Sequence, residues 1–165
     1  MATLLFFDCE FTDLSGSASL ISAGFITQSG DQFYAELSDY EDGACNDFVK
    51  ATVLPLLSLP PISTLDFVSS LTDWLNTLGG DFLFVADSGW DQKMLSKTFA
   101  SVGKTIPDNW RFQKTPDNFT NGMQRSLFND EMAAFFLRHP DEKPHHALCD
   151  ARAIRNAYLR AESGY

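Results

Sequence analysis

Short apolar runs alternate with longer amphipathic stretches along this chain, a pattern typical of a sheet flanked by helices. Four of the short runs are rich in apolar and aromatic residues and predict strands at residues 4–9, 20–27, 32–37 and 82–86. The polar segment 28–31, which contains Gly30, predicts a hairpin turn between the second and third strands.

Helical spacing of apolar residues predicts helices over residues 47–57, 88–102, 122–138 and 146–160. A further helix is predicted to begin at a Ser63 cap and to end near Leu78. Residues 103–119 contain two prolines and little periodicity, so we predict a long loop there. Three strands come first and a later strand lies between helices, which favours an α/β fold with a mixed sheet. Because no repeat or linker interrupts the pattern, residues 1–165 are expected to form a single domain.

The composition is that of a globular protein, since 44% of the 165 residues are hydrophobic and 21% are charged. No apolar run approaches the roughly 18 residues of a membrane span. The opening apolar run has no basic region before it and is interrupted by Asp8 and Glu10, unlike a signal peptide. We therefore expect a cytoplasmic protein with no membrane partner. Cys9, Cys45 and Cys149 form no CxxC pair and are expected to be reduced.

The formal net charge of −10 argues against a protein that grips a long nucleic-acid duplex, because such proteins usually present a basic face. It is compatible with an enzyme that holds a few nucleotides at a strand end. In that case bound cations would supply the positive charge.

Asp8 and Glu10 lie at the end of the first predicted strand. Side chains two residues apart on a strand point to the same face, about 6.6 Å apart. Two such charges beside a core repel each other unless a cation compensates them, and carboxylate oxygens favour Mg²⁺ or Mn²⁺. The same tripeptide is also common in strands that simply end in solvent.

Asp91 shares the apolar side of its predicted helix with Leu95 and Phe99, so its carboxylate needs a partner. Asp87, four residues earlier, is interpreted as a cap of that helix.

Asp150 lies at the edge of the buried face of the last predicted helix. His145 precedes it by five residues, which is about 140° off that face, so we expect His145 in the loop before the helix. The acids of the first strand, of the helix after the fourth strand and of the last helix can meet at one sheet edge. Four carboxylates there fit two cations about 3.5–4 Å apart, and a nearby histidine could take a proton from water.

These residues resemble the DEDDh group of the DEDD exonuclease superfamily, whose last motif carries a histidine. Residues 7–12 (FDCEFT) are similar to the first motif, 87–91 (DSGWD) to the second and 145–151 (HHALCDA) to the third. The similarity to a group of short bacterial 3′→5′ exoribonucleases runs almost end to end. It implies a ribonuclease-H-like fold.

The resemblance implies that Asp8, Glu10, Asp91 and Asp150 hold two divalent cations and that His145 is the general base. The second motif often has Asn where this chain has Asp87, and the spacing to the helix favours Asp91 as the ligand. The implied reaction is hydrolysis at the 3′ end of single-stranded RNA, which releases nucleoside 5′-monophosphates.

Phe11, Thr12 and Trp90 adjoin the motif acids and are candidates for substrate contacts, because aromatic rings stack on bases. Phe11 and Trp90 are equally well explained as core aromatics in a chain with fifteen Phe and three Trp.

Four basic side chains are candidates for phosphate contacts: Lys93, Lys97, Arg111 and Lys114. A solvated helix face explains the first two as well.

Three other functions stay open: a DNA exonuclease with the same chemistry, a catalytically silent module that binds nucleic acid or protein, and a metal-binding fold with no nuclease activity. An acidic enzyme of this size could also need a second subunit, in a homodimer, to frame its substrate.

Overall fold

The structure, a computed structural model, describes residues 2–164. Within that range the strands are β1 (Thr3–Phe11), β2 (Leu20–Thr27), β3 (Gln32–Glu36), β4 (Phe82–Ala86) and β5 (Trp110–Lys114). The α-helices are α1 (Asp47–Thr52), α2 (Thr64–Leu78), α3 (Gly89–Ser101), α4 (Gly122–Arg138) and α5 (Ala147–Ser163). Two 3₁₀ turns lie at Asp42–Ala44 and Leu54–Leu56.

The five strands form one mixed sheet in the order β3-β2-β1-β4-β5. β2 is antiparallel to both of its neighbours, β1 and β3, and its pairing with β3 is the predicted hairpin. β4 runs parallel to β1, and β5 runs parallel to β4. The predicted α/β class and mixed sheet flanked by helices are confirmed.

Two of the predicted secondary-structure assignments are wrong. β5 lies inside residues 103–119, which were predicted to be a loop; this five-residue edge strand depends on its pairing with β4, for example Phe112 opposite Phe84. A strand this short carries almost no periodic signal of its own. The helix predicted over 47–57 ends as an α-helix at Thr52 and continues as a 3₁₀ turn, because Pro55 has no backbone N–H to donate.

A hydrophobic layer covers each face of the sheet. On one face Leu5 and Phe7 of β1 pack with α2 and α3. On the other face Phe6 packs with α5 and with Phe128 of α4. Because side chains alternate along a strand, Asp8 and Glu10 follow Phe6 on the α5 side of the sheet. No helix within residues 2–164 is both long enough and apolar enough to cross a membrane.

The first turn of α5 lies directly on β2 because small residues face each other there. Ala147 and Ala151 of α5 are fully buried. A Cβ atom placed on Gly24 of β2 would lie 2.4 Å from the backbone N and Cα of Leu148. Gly24 is the β2 partner of Asp8, so this close approach sets the start of α5 beside the acidic end of β1.

Gly24→Ala is expected to lower the free energy of unfolding by about 1–3 kcal/mol, because backbone atoms of α5 would have to move. Urea denaturation measures this change. Gly16→Ala is the matched control, since a Cβ there meets nothing within 4 Å. Equal stability of the two variants would contradict the close contact between Gly24 and the backbone of α5.

Candidate metal centre

The acidic residues meet where β1 extends beyond the end of its neighbour β4. The register pairs Phe6 with Val85, and β4 ends one residue later at Ala86. Counting on from that pair, Asp8 lies beside Asp87 as the chain leaves the sheet. Glu10 follows on the same side of β1. The carboxylates therefore collect at the carboxyl ends of two parallel strands.

Two groups of ligand atoms form there. Oxygens of Asp8, Asp87 and Asp91 lie within 4.8 Å of one another. Oxygens of Glu10 and Asp150 and a ring nitrogen of His145 form the second group, within the same 4.8 Å limit. We call the six residues together the acidic cluster. The two groups together offer five carboxylates, the hard oxygen ligands that a pair of divalent cations prefers.

Asp91 shows most directly that the cluster suits a cation. It lies in the first turn of α3 and only 2% of it is exposed. Its Oδ1 accepts a hydrogen bond of 3.1 Å from the backbone N–H of Cys9, in the part of β1 that β4 no longer covers. Its Oδ2 is buried and has no hydrogen-bond partner among residues 2–164. An unpaired buried carboxylate oxygen is costly, and a bound cation would compensate it.

Asp87 is a member of the cluster, and its interpretation as the cap of α3 is wrong. Ser88 is the cap, because its Oγ accepts a hydrogen bond of 3.1 Å from the backbone N–H of Trp90. The residue before a cap lies outside the helix, so the Asp87 carboxylate is free to join Asp8 and Asp91. The parallel pairing of β4 with β1 decides this, and that pairing is not visible in the local sequence.

His145 lies in the loop before α5, as predicted from its spacing to Asp150. Its backbone has φ +65°, in the left-handed region that is unfavourable for a residue with a side chain. The backbone N–H of His145 donates a hydrogen bond of 3.0 Å to Asp150 Oδ2. Its ring meets the ring of Phe48 edge to face, with centroids 5.0 Å apart. These contacts hold an exposed histidine beside Glu10 and Asp150.

His146 faces the sheet instead of the acidic cluster. Its ring stacks on Tyr34 of β3, with centroids 4.5 Å apart. Burial lowers the pKa of His146, which favours the neutral ring. The adjacent histidines therefore have different surroundings, and only His145 contributes an atom to the cluster.

Burial and mutual repulsion raise the pKa values of the clustered acids. For Asp8, burial and then repulsion by Asp91 raise the pKa well above its usual range. Burial, followed by repulsion from Asp150, raises the pKa of Glu10 to about 8. Burial raises the pKa of Asp150 to about 7, although the hydrogen bond from His145 opposes this. Without a cation, the cluster therefore holds protons at neutral pH.

The three candidates for substrate contacts have different surroundings. The rings of Phe11 and Trp90 are neighbours, with centroids 6.4 Å apart, and both are partly exposed. Thr12 is 1% exposed, and its Oγ1 accepts a hydrogen bond from the backbone N–H of Ser19. The role that the structure shows for Thr12 is to close the loop after β1, and its contact with substrate stays a prediction.

An apolar groove of about 310 Å³ adjoins Glu10; it is lined by Glu10, Phe11, Asp13, Leu14, Asn46, Phe48 and Val49. Leu14 and Phe48 are 67% and 54% exposed, which is unusual for large apolar side chains. Sequence reasoning missed both residues. Phe48 belongs to a short helix far from the motifs in sequence, and only tertiary packing brings it to His145.

The metal-free protein is expected to lose stability as the pH rises from about 4, where unfolded carboxyl groups titrate, to about 8. Glu10 and Asp150 have folded-state pKa values raised to about 8 and about 7, above those of unfolded chains. Their stabilising contribution is complete below the unfolded pKa and is lost as the pH rises through these values. Thermal denaturation in chelator measures the effect, and Mg²⁺ or Mn²⁺ should reverse it. Asp150→Asn should reduce the pH dependence of stability. An equal pH dependence in that variant would contradict the assignment of part of this effect to Asp150.

Asp87→Asn is expected to weaken Mn²⁺ binding by about tenfold to a hundredfold, because it removes a charge next to Asp8 and Asp91. Titration calorimetry measures the affinity. Asp73→Asn, an exposed position on α2, is the matched control. Unchanged affinity in Asp87→Asn would show that the Asp87 charge does not contribute to metal binding.

The structure brings Asp8, Glu10, Asp91, Asp150 and His145 together at the carboxyl end of the central strand β1 and adds Asp87 to them. No protein-family model matches this chain, and no curated protein matches it significantly. The DEDDh family that the sequence motifs suggest therefore stays a prediction.

Proposed function

We propose that this chain is a metal-dependent 3′→5′ exonuclease of the DEDDh type. It hydrolyses single-stranded RNA from the 3′ end and releases nucleoside 5′-monophosphates. The observation that carries the proposal is the acidic cluster: carboxylates from β1, the β4–α3 turn, α3 and α5 meet in two groups, with a histidine in one of them. All members of this cluster lie within the three exonuclease motifs, and Asp87 occupies the position of the second motif that often has Asn.

A ribonuclease-H-like fold is part of the proposal. Three antiparallel strands followed by two parallel ones, in the order β3-β2-β1-β4-β5, support it. The acids at the end of β1, in the middle of this sheet, also agree with it. The cytoplasmic location and the homodimer stay predictions.

Asp8, Glu10, Asp91 and Asp150 would hold two divalent cations, Mg²⁺ or Mn²⁺. When bound, these cations lower the pKa of an attacking water and stabilise the leaving 3′ oxygen. The unpaired Oδ2 of Asp91 supports the assignment of this ligand set. Asp87 would add a charge to the Asp8 side, so the two halves of the cluster need not bind metal equally well.

His145 would take the proton from the attacking water. Its ring nitrogen lies within 4.8 Å of carboxylate oxygens of Glu10 and Asp150, so it can reach a water held between them. The hydrogen bond to Asp150 and the contact with Phe48 orient it before substrate arrives. Such preorganisation lowers the cost of reaching the productive geometry.

The apolar groove beside Glu10 would take the nucleoside at the 3′ end. Phe11 and Phe48 offer ring faces and edges at its walls, and stacking on an aromatic side chain stabilises a base by roughly 1–3 kcal/mol. The 3′ end of a nucleic-acid strand fits this groove better than the middle of a duplex does. This agrees with the net charge of −10, because proteins that bind long duplexes usually need positive charge.

The test uses 5′-labelled single-stranded RNA and DNA of the same sequence, with Mg²⁺, Mn²⁺ or chelator. The wild-type protein should shorten the RNA from its 3′ end, and chelator should stop the reaction. Asp150→Ala should reduce the rate by more than about a hundredfold, because it removes a ligand and not only a supporting contact. Asp73→Ala is the control for charge.

The ratio of RNA to DNA cleavage rates decides the polymer, and a faster reaction on DNA would replace the RNA assignment. If neither strand is cleaved with any metal, the exonuclease proposal is wrong and a binding module becomes the better explanation.

A further inference from the structure

A second groove adjoins the acidic cluster at Asp87, whereas the apolar groove adjoins it at Glu10. It measures about 470 Å³ and is lined by Asp87, Ser88, Gly89, Trp90, Lys93 and Lys114. We call it the lysine groove. Its lining differs in character from that of the apolar groove: two ammonium groups and an indole ring take the place of Phe11, Leu14 and Phe48.

Neither ammonium group of the lysine groove is held by a strong partner. The Nζ of Lys93 lies 4.3 Å from the centroid of the Trp90 ring. Lys114 pairs with Asp117 at 2.8 Å, but the two side chains are 52% and 65% exposed, and such surface pairs contribute little stability. Both lysines can therefore exchange these contacts for a phosphate.

Most other basic side chains are held elsewhere. Lys97 donates hydrogen bonds to the backbone carbonyls of Gly16 and Ala18, which removes it from the candidates for phosphate contacts. Arg155 donates to the backbone of the β2–β3 turn. Further arginines pair with Glu131 and Glu142. In a chain of net charge −10, two exchangeable positive charges thus border the acidic cluster at one groove.

Trp90 separates the two grooves. Its ring faces Phe11, at the wall of the apolar groove, and it also lines the lysine groove beneath Lys93. A single-stranded nucleic acid that crosses the acidic cluster must therefore pass this ring. The apolar groove suits one nucleoside. The lysine groove combines charged and aromatic side chains, which suit an extended single strand of nucleic acid.

We infer that the lysine groove binds the phosphates of the nucleotides upstream of the scissile bond, on the 5′ side, with a base against Trp90. This inference rests on the proposed exonuclease function and adds the path and polarity of the substrate. The terminal nucleoside lies in the apolar groove, the scissile phosphate lies at the acidic cluster, and the strand leaves along Trp90, Lys93 and Lys114.

The test compares kcat/KM on an unlabelled dinucleotide and on a tetranucleotide of the same bases, separated by chromatography. A dinucleotide has only the scissile phosphodiester, so it has no upstream phosphate for the lysine groove to bind. The tetranucleotide has two further phosphates upstream. The double variant Lys93→Ala/Lys114→Ala should reduce the preference for the tetranucleotide by about tenfold at low salt. The slope of log(kcat/KM) for the tetranucleotide against log salt should fall by about 1.4, the value for two phosphate contacts on a single strand.

Lys104→Ala/Arg160→Ala is the matched control, because it removes the same two charges at exposed positions outside the groove. Lys104 follows the far end of α3, and Arg160 lies in the last turn of α5. If the Lys93/Lys114 variant keeps the wild-type length preference, or if the control loses it equally, the inference is overturned and the exonuclease function stands. If the wild-type protein cleaves neither substrate with any metal, both the function and this inference fail.

Discussion

Repulsion among carboxylates is the constraint on which the rest of this structure depends. Asp8, Glu10, Asp87, Asp91 and Asp150 are drawn together at the end of β1, where burial raises their pKa values. Like charges this close oppose folding unless protons or cations neutralise them. Only a rigid scaffold can keep them together, and each acid is attached to a strand, a helix or the short turn between two such elements.

The scaffold is rigid because aromatic rings fill the sheet beside the acids. Phe7 stacks on Phe25 with centroids 5.6 Å apart, and Phe84 meets Phe7 edge to face at 5.6 Å. On the other face, the alanines of α5 let the helix approach β2 until Gly24 touches its backbone. The burial of these apolar surfaces offsets the electrostatic cost of the acidic cluster. Ligands held in this way need little rearrangement when a metal binds.

The hydrogen bonds in the cluster leave most carboxylate oxygens free. Cys9 and His145 each donate one backbone N–H, to Asp91 and Asp150. These donors fix the orientation of the two carboxylates without neutralising them. The remaining oxygens face one another, where a shared cation would bind. The same arrangement gives the site two distinct approaches, an apolar one at Glu10 and a basic one at Asp87.

The sequence by itself determined those features of the site that depend on local geometry. Strand periodicity placed Asp8 and Glu10 on one face, helical periodicity turned Asp91 toward the core, and the five-residue spacing kept His145 outside α5. Tertiary structure alone decided the pairing of β4 with β1, which made Asp87 a member of the cluster instead of a cap, and the pairing that made residues 110–114 a strand. It also brought Phe48 to His145. It placed Lys93 and Lys114 in one groove, whereas Lys97 donates its hydrogen bonds to backbone carbonyls. Pairing partners and contacts between distant segments depend on how whole elements pack, and the periodicity of one segment carries no information about its neighbours in space.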